Sequence, residues 1–236
     1  MRAILLDIEG TTTPIDFVHK TLFPYTRARV AGFVQQNFDD LKFEISQLES
    51  ENATDGNYKP ELRRDSANSV ADYLTYLIDN DRKSTPLKSI QGTIWQAGYE
   101  NGDLVSTVYD DVPKAFERWK GEKKTIAIYS SGSVLAQQLI FKYSDQGDLT
   151  RFIDRYFDTT IGHKREPESY NSIAAELGFN ASEIIFISDI PDELDAAAGS
   201  GYKTALSLRE GNAPVDAGNH FLSVSTFDEI TDSILI

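Results

Sequence analysis

Short apolar runs that end abruptly at polar residues recur along this chain. Ala3-Ile4-Leu5-Leu6 stops at Asp7, Thr125-Ile126-Ala127-Ile128-Tyr129 at Ser130, and Ile184-Ile185-Phe186-Ile187 at Ser188-Asp189. Lys203-Thr204-Ala205-Leu206-Ser207-Leu208 is a weaker case, and His220-Phe221-Leu222-Ser223-Val224 weaker still. Runs of this length without alternation suit strands buried on both faces, as in a parallel sheet. Helical spacing lies between them. Val112, Phe116 and Trp119 share one face, with Pro113 suited to a first turn, and Leu135, Leu139 and Ile140 share another. The segment from Pro167 closes on Leu177-Gly178, which reads as a helix stop, and 191–199 is short and Ala-rich. Strand–helix alternation from about residue 105 onward predicts an α/β fold with a doubly wound, mainly parallel, Rossmann-like sheet.

Residues 16–104 follow a different pattern. No strand is evident there. Phe17, Leu22, Phe23, Val30, Phe33 and Val34 read as amphipathic helix, as do Val70, Tyr73, Leu74 and Leu77. The polar, turn-rich stretch from Glu49 to Pro60 reads as a loop between helices. Trp95 and the other aromatics of this region read as its core rather than as ligand stackers. The expected organisation is an α/β catalytic core of residues 1–15 and 105–236, interrupted by a helical cap at 16–104.

Composition narrows the chemistry. The 236 residues carry 23 Lys and Arg against 37 Asp and Glu, a formal net charge of −14. Such a chain exerts no global pull on nucleic acid or anionic membrane, and an anionic substrate needs a local cation. Cysteine is absent and histidine occurs three times, far apart. Thiolate nucleophiles and Cys-ligated zinc are thereby excluded, and oxygen ligation of a hard cation such as magnesium is the fitting metal chemistry. No apolar run approaches the ~20 residues of a membrane span. The apolar stretch after Met1 is too short for a signal peptide, so a cytoplasmic location is expected.

In open α/β sheets ligands bind at the carboxyl ends of the strands. The predicted ends carry Asp7-Ile8-Glu9-Gly10-Thr11-Thr12, Ser130-Ser131-Gly132-Ser133 and Ser188-Asp189-Ile190-Pro191-Asp192-Glu193. Asp7, Glu9 and Asp189 brought to one crevice would repel one another unless protonated or bridged by a cation, and magnesium suits them. Gly10 permits a sharp bend after the first strand, so one carboxylate can act as nucleophile while the other handles protons. Ser130, Ser131 and the backbone around Gly132 sit where a strand turns into a helix, a place for phosphate oxygens. Lys164, before the helix that starts at Pro167, can supply the local positive charge.

This combination resembles the haloacid dehalogenase-like hydrolases: Asp7-x-Glu9-Gly10-Thr11, then Ser130, Lys164, and Asp189 with Glu193, in that order. Glu9 stands where most phosphatases of that superfamily carry Asp. With it, Phe17-Val18-His19, Leu22-Phe23-Pro24-Tyr25, Gln91-Gly92-x-x-Trp95-x-x-Gly98-Tyr99-x-x-Gly102 and Ile128-Tyr129-Ser130-Ser131-Gly132-Ser133 look like the enolase-phosphatases of methionine salvage.

The resemblance implies a bifunctional, magnesium-dependent enzyme, monomeric and cytoplasmic. It would enolise 2,3-diketo-5-methylthiopentyl-1-phosphate and then release phosphate to leave the acireductone. Asp7 would be the nucleophile and Glu9 the acid and base. One magnesium ion would sit on the Asp7 carboxylate, the Glu9 main-chain carbonyl and Asp189. Ser130, Ser131 and Lys164 would hold phosphate, with Gly10, Thr11, Gly132 and Glu193 in support. Glu193 would orient Lys164 or a metal-bound water. The enolisation base is open between Glu9 and a cap residue, and the cap would exclude water and read the methylthio tail. The competing expectations are another magnesium-dependent, cap-bearing phosphatase with a different small phosphate ester, or a non-catalytic scaffold that keeps the fold.

Overall fold

In a computed structural model, residues 1–215 and 221–231 are described. Their strands are β1 (Ala3–Leu6), β2 (Thr125–Tyr129), β3 (Arg155–Phe157), β4 (Ile184–Ser188), β5 (Lys203–Ser207) and β6 (Leu222–Val224). They form one parallel sheet in the order β3-β2-β1-β4-β5-β6. The helices are α1 (Ile15–Phe17), α2 (Phe23–Asn37), α3 (Lys42–Thr54), α4 (Ala67–Asp79), α5 (Thr85–Glu100), α6 (Asp111–Gly121), α7 (Val134–Lys142), α8 (Pro167–Leu177) and α9 (Pro191–Gly199). The α/β reading and its parallel sheet hold.

The chain divides into two compact units, Met1–Val18 with Val105–Ile236, and His19–Leu104. In the first unit the central strands are buried, all but Thr125 at the start of β2, which explains their unbroken apolar runs. Ala3, Leu5, Ala127, Tyr129, Ile184 and Phe186 pack with Tyr170 and Ile173 of α8 and Leu194 of α9. Alternation turns Ile4, Leu6, Ile126, Ile128, Ile185 and Ile187 to the other face. There α6 packs on β2, and Phe116 and Trp119 meet Phe141 and Phe227. Gly178 ends α8 in the left-handed conformation, as its position after Leu177 predicts.

Strand β3 is absent from the sequence reading. Three residues, only one of them buried, are too short for a periodicity to show. The sheet pairing of Ala127–Tyr129 with Arg155–Phe157 creates it. His220 lies outside the described residues.

In the second unit α2 packs on α4 and α5, and α3 on α5. Their shared core holds Val30, Val34, Leu48, Val70, Leu74, Leu77, Leu87, Ile90 and Ile94. Trp95 is buried here and donates from Nε1 to the Leu22 carbonyl at 3.0 Å. The Tyr25 hydroxyl fits where Gly98 lacks a side chain, so close that a Cβ on Gly98 would lie 2.6 Å from it, and donates to Asp103 at 3.0 Å.

One expectation fails in this unit. Residues 49–54 are not loop but the last turns of α3. The burial of Leu48 and Asn52 carries the helix through a polar sequence. Asn52 accepts from the Leu62 N–H at 2.8 Å and donates to the Pro60 carbonyl at 3.2 Å, tying the following loop to the helix.

Candidate active site

The strand order reverses at β1, so the switch point lies between β1 and β4, where such sheets bind ligands. Register brings the residues together there. Leu6 pairs with Ile187, and the Asp7 N–H donates to the Ile187 carbonyl at 3.0 Å. Asp7 therefore lies level with Ser188, beside Asp189. Beyond Asp7 the chain turns tightly. The Ile8 carbonyl accepts from the N–H groups of Thr11, Thr12 and Thr13, and Gly10 takes φ +67°. A Cβ on Gly10 would collide with Asp189 Oδ2, so glycine is required by both conformation and space.

Asp7, Lys164, Ser188 and Glu193 form one buried network. Lys164 Nζ lies 2.8 Å from Asp7 Oδ1 and 2.6 Å from Glu193 Oε2. Ser188 Oγ donates to Glu193 Oε2 at 2.9 Å and sits 3.4 Å from Asp7 Oδ2. Asp7 Oδ1 also accepts from the Ile8 N–H at 2.7 Å. The two oxygens of Asp7 thus differ: among the described residues, Oδ1 is held by two donors and Oδ2 by the long Ser188 contact. Tyrosines fix the lysine's segment from below. Tyr129 donates to the Gly162 carbonyl at 2.9 Å, Tyr170 to the Lys164 carbonyl at 2.7 Å, and Tyr202 to the Tyr170 carbonyl at 2.8 Å. Burial raises all three phenols, so they remain protonated donors.

The charges are unbalanced. Burial, and then the charge of Asp7, push the Asp189 carboxyl up to about 7 against the pull of Lys164. Burial and Asp7 also raise Glu193, again opposed by Lys164. For Lys164 burial alone would lower the ammonium, but Asp7 and Glu193 outweigh it and hold it above the usual lysine range. Asp7, Asp189 and Glu193 together exceed the one lysine by two negative charges when all are ionised. A divalent cation on oxygen donors fits that excess. Among the described residues no three or more His, Cys, Asp or Glu side chains are grouped to hold a metal ion. Two carboxylates, a main-chain carbonyl and retained waters need no such group, and magnesium keeps several waters.

Ser130 follows β2, buried, with its N–H donating to the Phe157 carbonyl at 3.2 Å. Its Oγ accepts from the Gly132 N–H at 3.2 Å, and Ser133 caps α7 by accepting from Ala136. Ser131 is exposed and Glu9 partly buried. Thr11 is buried within the turn after β1.

Several residues of this region escaped the sequence reading. Ser188 ends β4, where the sequence assigns it no role, and only register places it beside Asp7. Ser207 and Asn212 both donate to the Gly10 carbonyl, at 3.1 and 2.9 Å. Arg209 donates to the Thr11 carbonyl at 3.2 Å and grips Asp111 with two nitrogens at 3.0 and 2.9 Å. The sequence signal, an Arg and an Asn just past a strand end, is too common to single out.

Comparison with known proteins supplies the family. Residues 1–201 match the family model of the haloacid dehalogenase-like hydrolases. The enolase-phosphatase E1 of Synechococcus elongatus is 48% identical over 230 residues, covering 96% of each chain. That of Leptospira borgpetersenii is 49% identical over 224 residues, covering 95% of this chain and 96% of its own. A crystal structure of the UTR4 protein of Saccharomyces cerevisiae matches with TM-score 0.79 and 39% identity, over 97% of this chain and 99% of that one. CbbY of Rhodobacter sphaeroides, at TM-score 0.61 and 13% identity over 97% of this chain and 96% of its own, shares the fold. The chain belongs to the haloacid dehalogenase-like hydrolases and, within them, to the enolase-phosphatase E1 family.

Proposed function

We propose that this chain converts 2,3-diketo-5-methylthiopentyl-1-phosphate to the acireductone 1,2-dihydroxy-3-keto-5-methylthiopentene and phosphate, a step of methionine salvage. The observation that carries this is the buried Asp7–Lys164–Glu193 network beside Asp189, in a chain alike throughout to enolase-phosphatases. After enolisation, an Asp7 oxygen attacks phosphorus. An aspartyl-phosphate bond forms as the bond to the enol oxygen breaks. Glu9 gives its proton to that departing oxygen. The Glu9 carboxylate then takes a proton from water, whose oxygen attacks phosphorus, releasing phosphate and restoring Asp7. Lys164, Ser130 and Ser131 hold the phosphate oxygens, and the turn at Gly132 shapes their loop. Glu193 holds Lys164 in place.

Asp7, the Glu9 main-chain carbonyl and Asp189 would hold one magnesium ion per chain. When bound, it neutralises charge between nucleophile and phosphate and polarises the dicarbonyl during enolisation. We read the enzyme as a cytoplasmic monomer whose partner is a small phosphate ester. Its net charge of −14 argues against nucleic acid and membrane partners, and no helix among the described residues is long and apolar enough to cross a membrane.

Phosphorus and proton NMR of the purified protein with the diketo phosphate and magnesium, with and without EDTA, tests the reading. Phosphate and acireductone should appear together, and EDTA should stop both. An untouched substrate, with a simple phosphate ester hydrolysed instead, would leave a phosphatase of different specificity.

A further inference from the structure

Asn212 lies in the loop after β5. Its Nδ2 donates to two main-chain carbonyls, Gly10 at 2.9 Å and Ser207 at 3.3 Å. Carbonyls only accept, so this arrangement fixes the amide's orientation: nitrogen toward the turn, oxygen away from it. That oxygen, Oδ1, is buried and has no hydrogen-bond partner among the described residues. A buried acceptor left unmet is costly and calls for an explanation.

Its position supplies one. A Cβ built on Gly10 would lie 2.8 Å from Asn212 Oδ1 and 2.7 Å from Asp189 Cγ, and would collide with Asp189 Oδ2. The unmet amide oxygen and the Asp189 carboxylate therefore crowd the same point beside Gly10 and lie close to each other, near enough for one water to touch both. A water there needs an acceptor for its hydrogens if its own oxygen is committed elsewhere.

We propose that Asn212 is a positioning residue of the cation site, its Oδ1 accepting a hydrogen bond from a water held by the magnesium ion. This rests on the magnesium reading above and extends it to a residue outside the three donors already named. Magnesium dehydrates reluctantly and keeps several waters, so an acceptor aimed at one of them helps set affinity and orientation. The Nδ2 bonds to Gly10 and Ser207 would hold that acceptor still, joining the β5 loop to the turn after β1.

Calorimetric titration of Mg2+ into the purified, substrate-free chain tests this, with Asn212→Ala and Asn212→Asp beside the wild type and metal-free thermal midpoints recorded for all three. Asn212→Ala should weaken Mg2+ binding about ten-fold or more, in the range of residues that orient metal-bound groups. Asn212→Asp loses the amide donors but keeps an oxygen facing the site, so it should bind Mg2+ at least as tightly as the wild type. A purely structural amide predicts the reverse pattern, both variants losing thermal stability and Mg2+ affinity together. That result, or unchanged affinity in Asn212→Ala, overturns the proposal. A wild-type chain that binds no Mg2+ overturns the magnesium reading itself, and this inference with it.

Discussion

At the scale of single residues, the two oxygens of Asp7 are the feature with most chemical consequence. Lys164 and the Ile8 N–H occupy Oδ1, while among the described residues Oδ2 meets Ser188 at 3.4 Å. A carboxylate steadied on one oxygen keeps lone pairs exposed on the other, which suits a nucleophile. Asp7→Asn keeps the shape and removes the charge. Phosphate release should fall below about one per cent of wild type, with the thermal midpoint preserved or raised. More than a few per cent of residual release would remove Asp7 from the nucleophile's role. Asp7, Lys164 and Asp189 were legible in the sequence because each stands where an apolar run stops or a helix starts. Ser188 also stands at a strand end, but its part in the network, like that of Asn212, was not legible, because their partners Asp7 and Gly10 are 181 and 202 residues away.

At the scale of elements, two turns have been made rigid in different ways. The turn after β1 depends on Gly10, with φ +67° and Asp189 against its α-carbon. Gly10→Ala should cost more than the ~1–2 kcal/mol of a left-handed alanine, since the methyl group also displaces Asp189. Mg2+ affinity should fall with it. Gly178→Ala is the control: φ is +72° but nothing lies within 4 Å, so thermal unfolding should show only the backbone cost. Equal effects of the two would show that contact with Asp189 is unimportant. In the helical unit, Asn52 replaces turn-forming sequence with a buried amide clamp. Asn52→Ala leaves two main-chain groups unmet and should destabilise the protein by roughly 2–4 kcal/mol, read by urea unfolding. A change under ~0.5 kcal/mol would mean that the clamp is solvated. Composition suggested a loop at 49–54; the apolar contacts of Leu48 overrode it.

At the scale of the whole molecule, the acidic excess becomes a dependence of stability on pH. The Asp189 carboxyl sits at about 7, above its ordinary value near 4. The folded chain therefore binds this proton more tightly than the unfolded chain, and stability falls as pH rises through that window. Lys164 is raised too, so its contribution is intact below the usual lysine range and lies outside the window. In EDTA, the thermal midpoint should be higher at pH 6 than at pH 8. The gain is about 1.4 kcal/mol for such a carboxyl, a shift of a few degrees. Saturating Mg2+ should remove the difference, since the cation favours the ionised form. A metal-free midpoint that does not move or rises toward pH 8 would contradict the buried, charge-crowded site.

By itself the sequence determined the kind of fold and most of its chemistry. Strands buried on both faces must be apolar throughout, so Ala3–Leu6, Thr125–Tyr129 and Ile184–Ser188 announce themselves. Polar residues tolerated only at strand ends then mark the site. Tertiary structure decided what depends on contacts between distant segments. Pairing made β3 from three unremarkable residues. Register set Ser188 beside Asp7, and the loop after β5 reached back to the Gly10 carbonyl. Local pattern records which faces are buried, whereas partners depend on how the strands align, and no residue's immediate neighbours encode that.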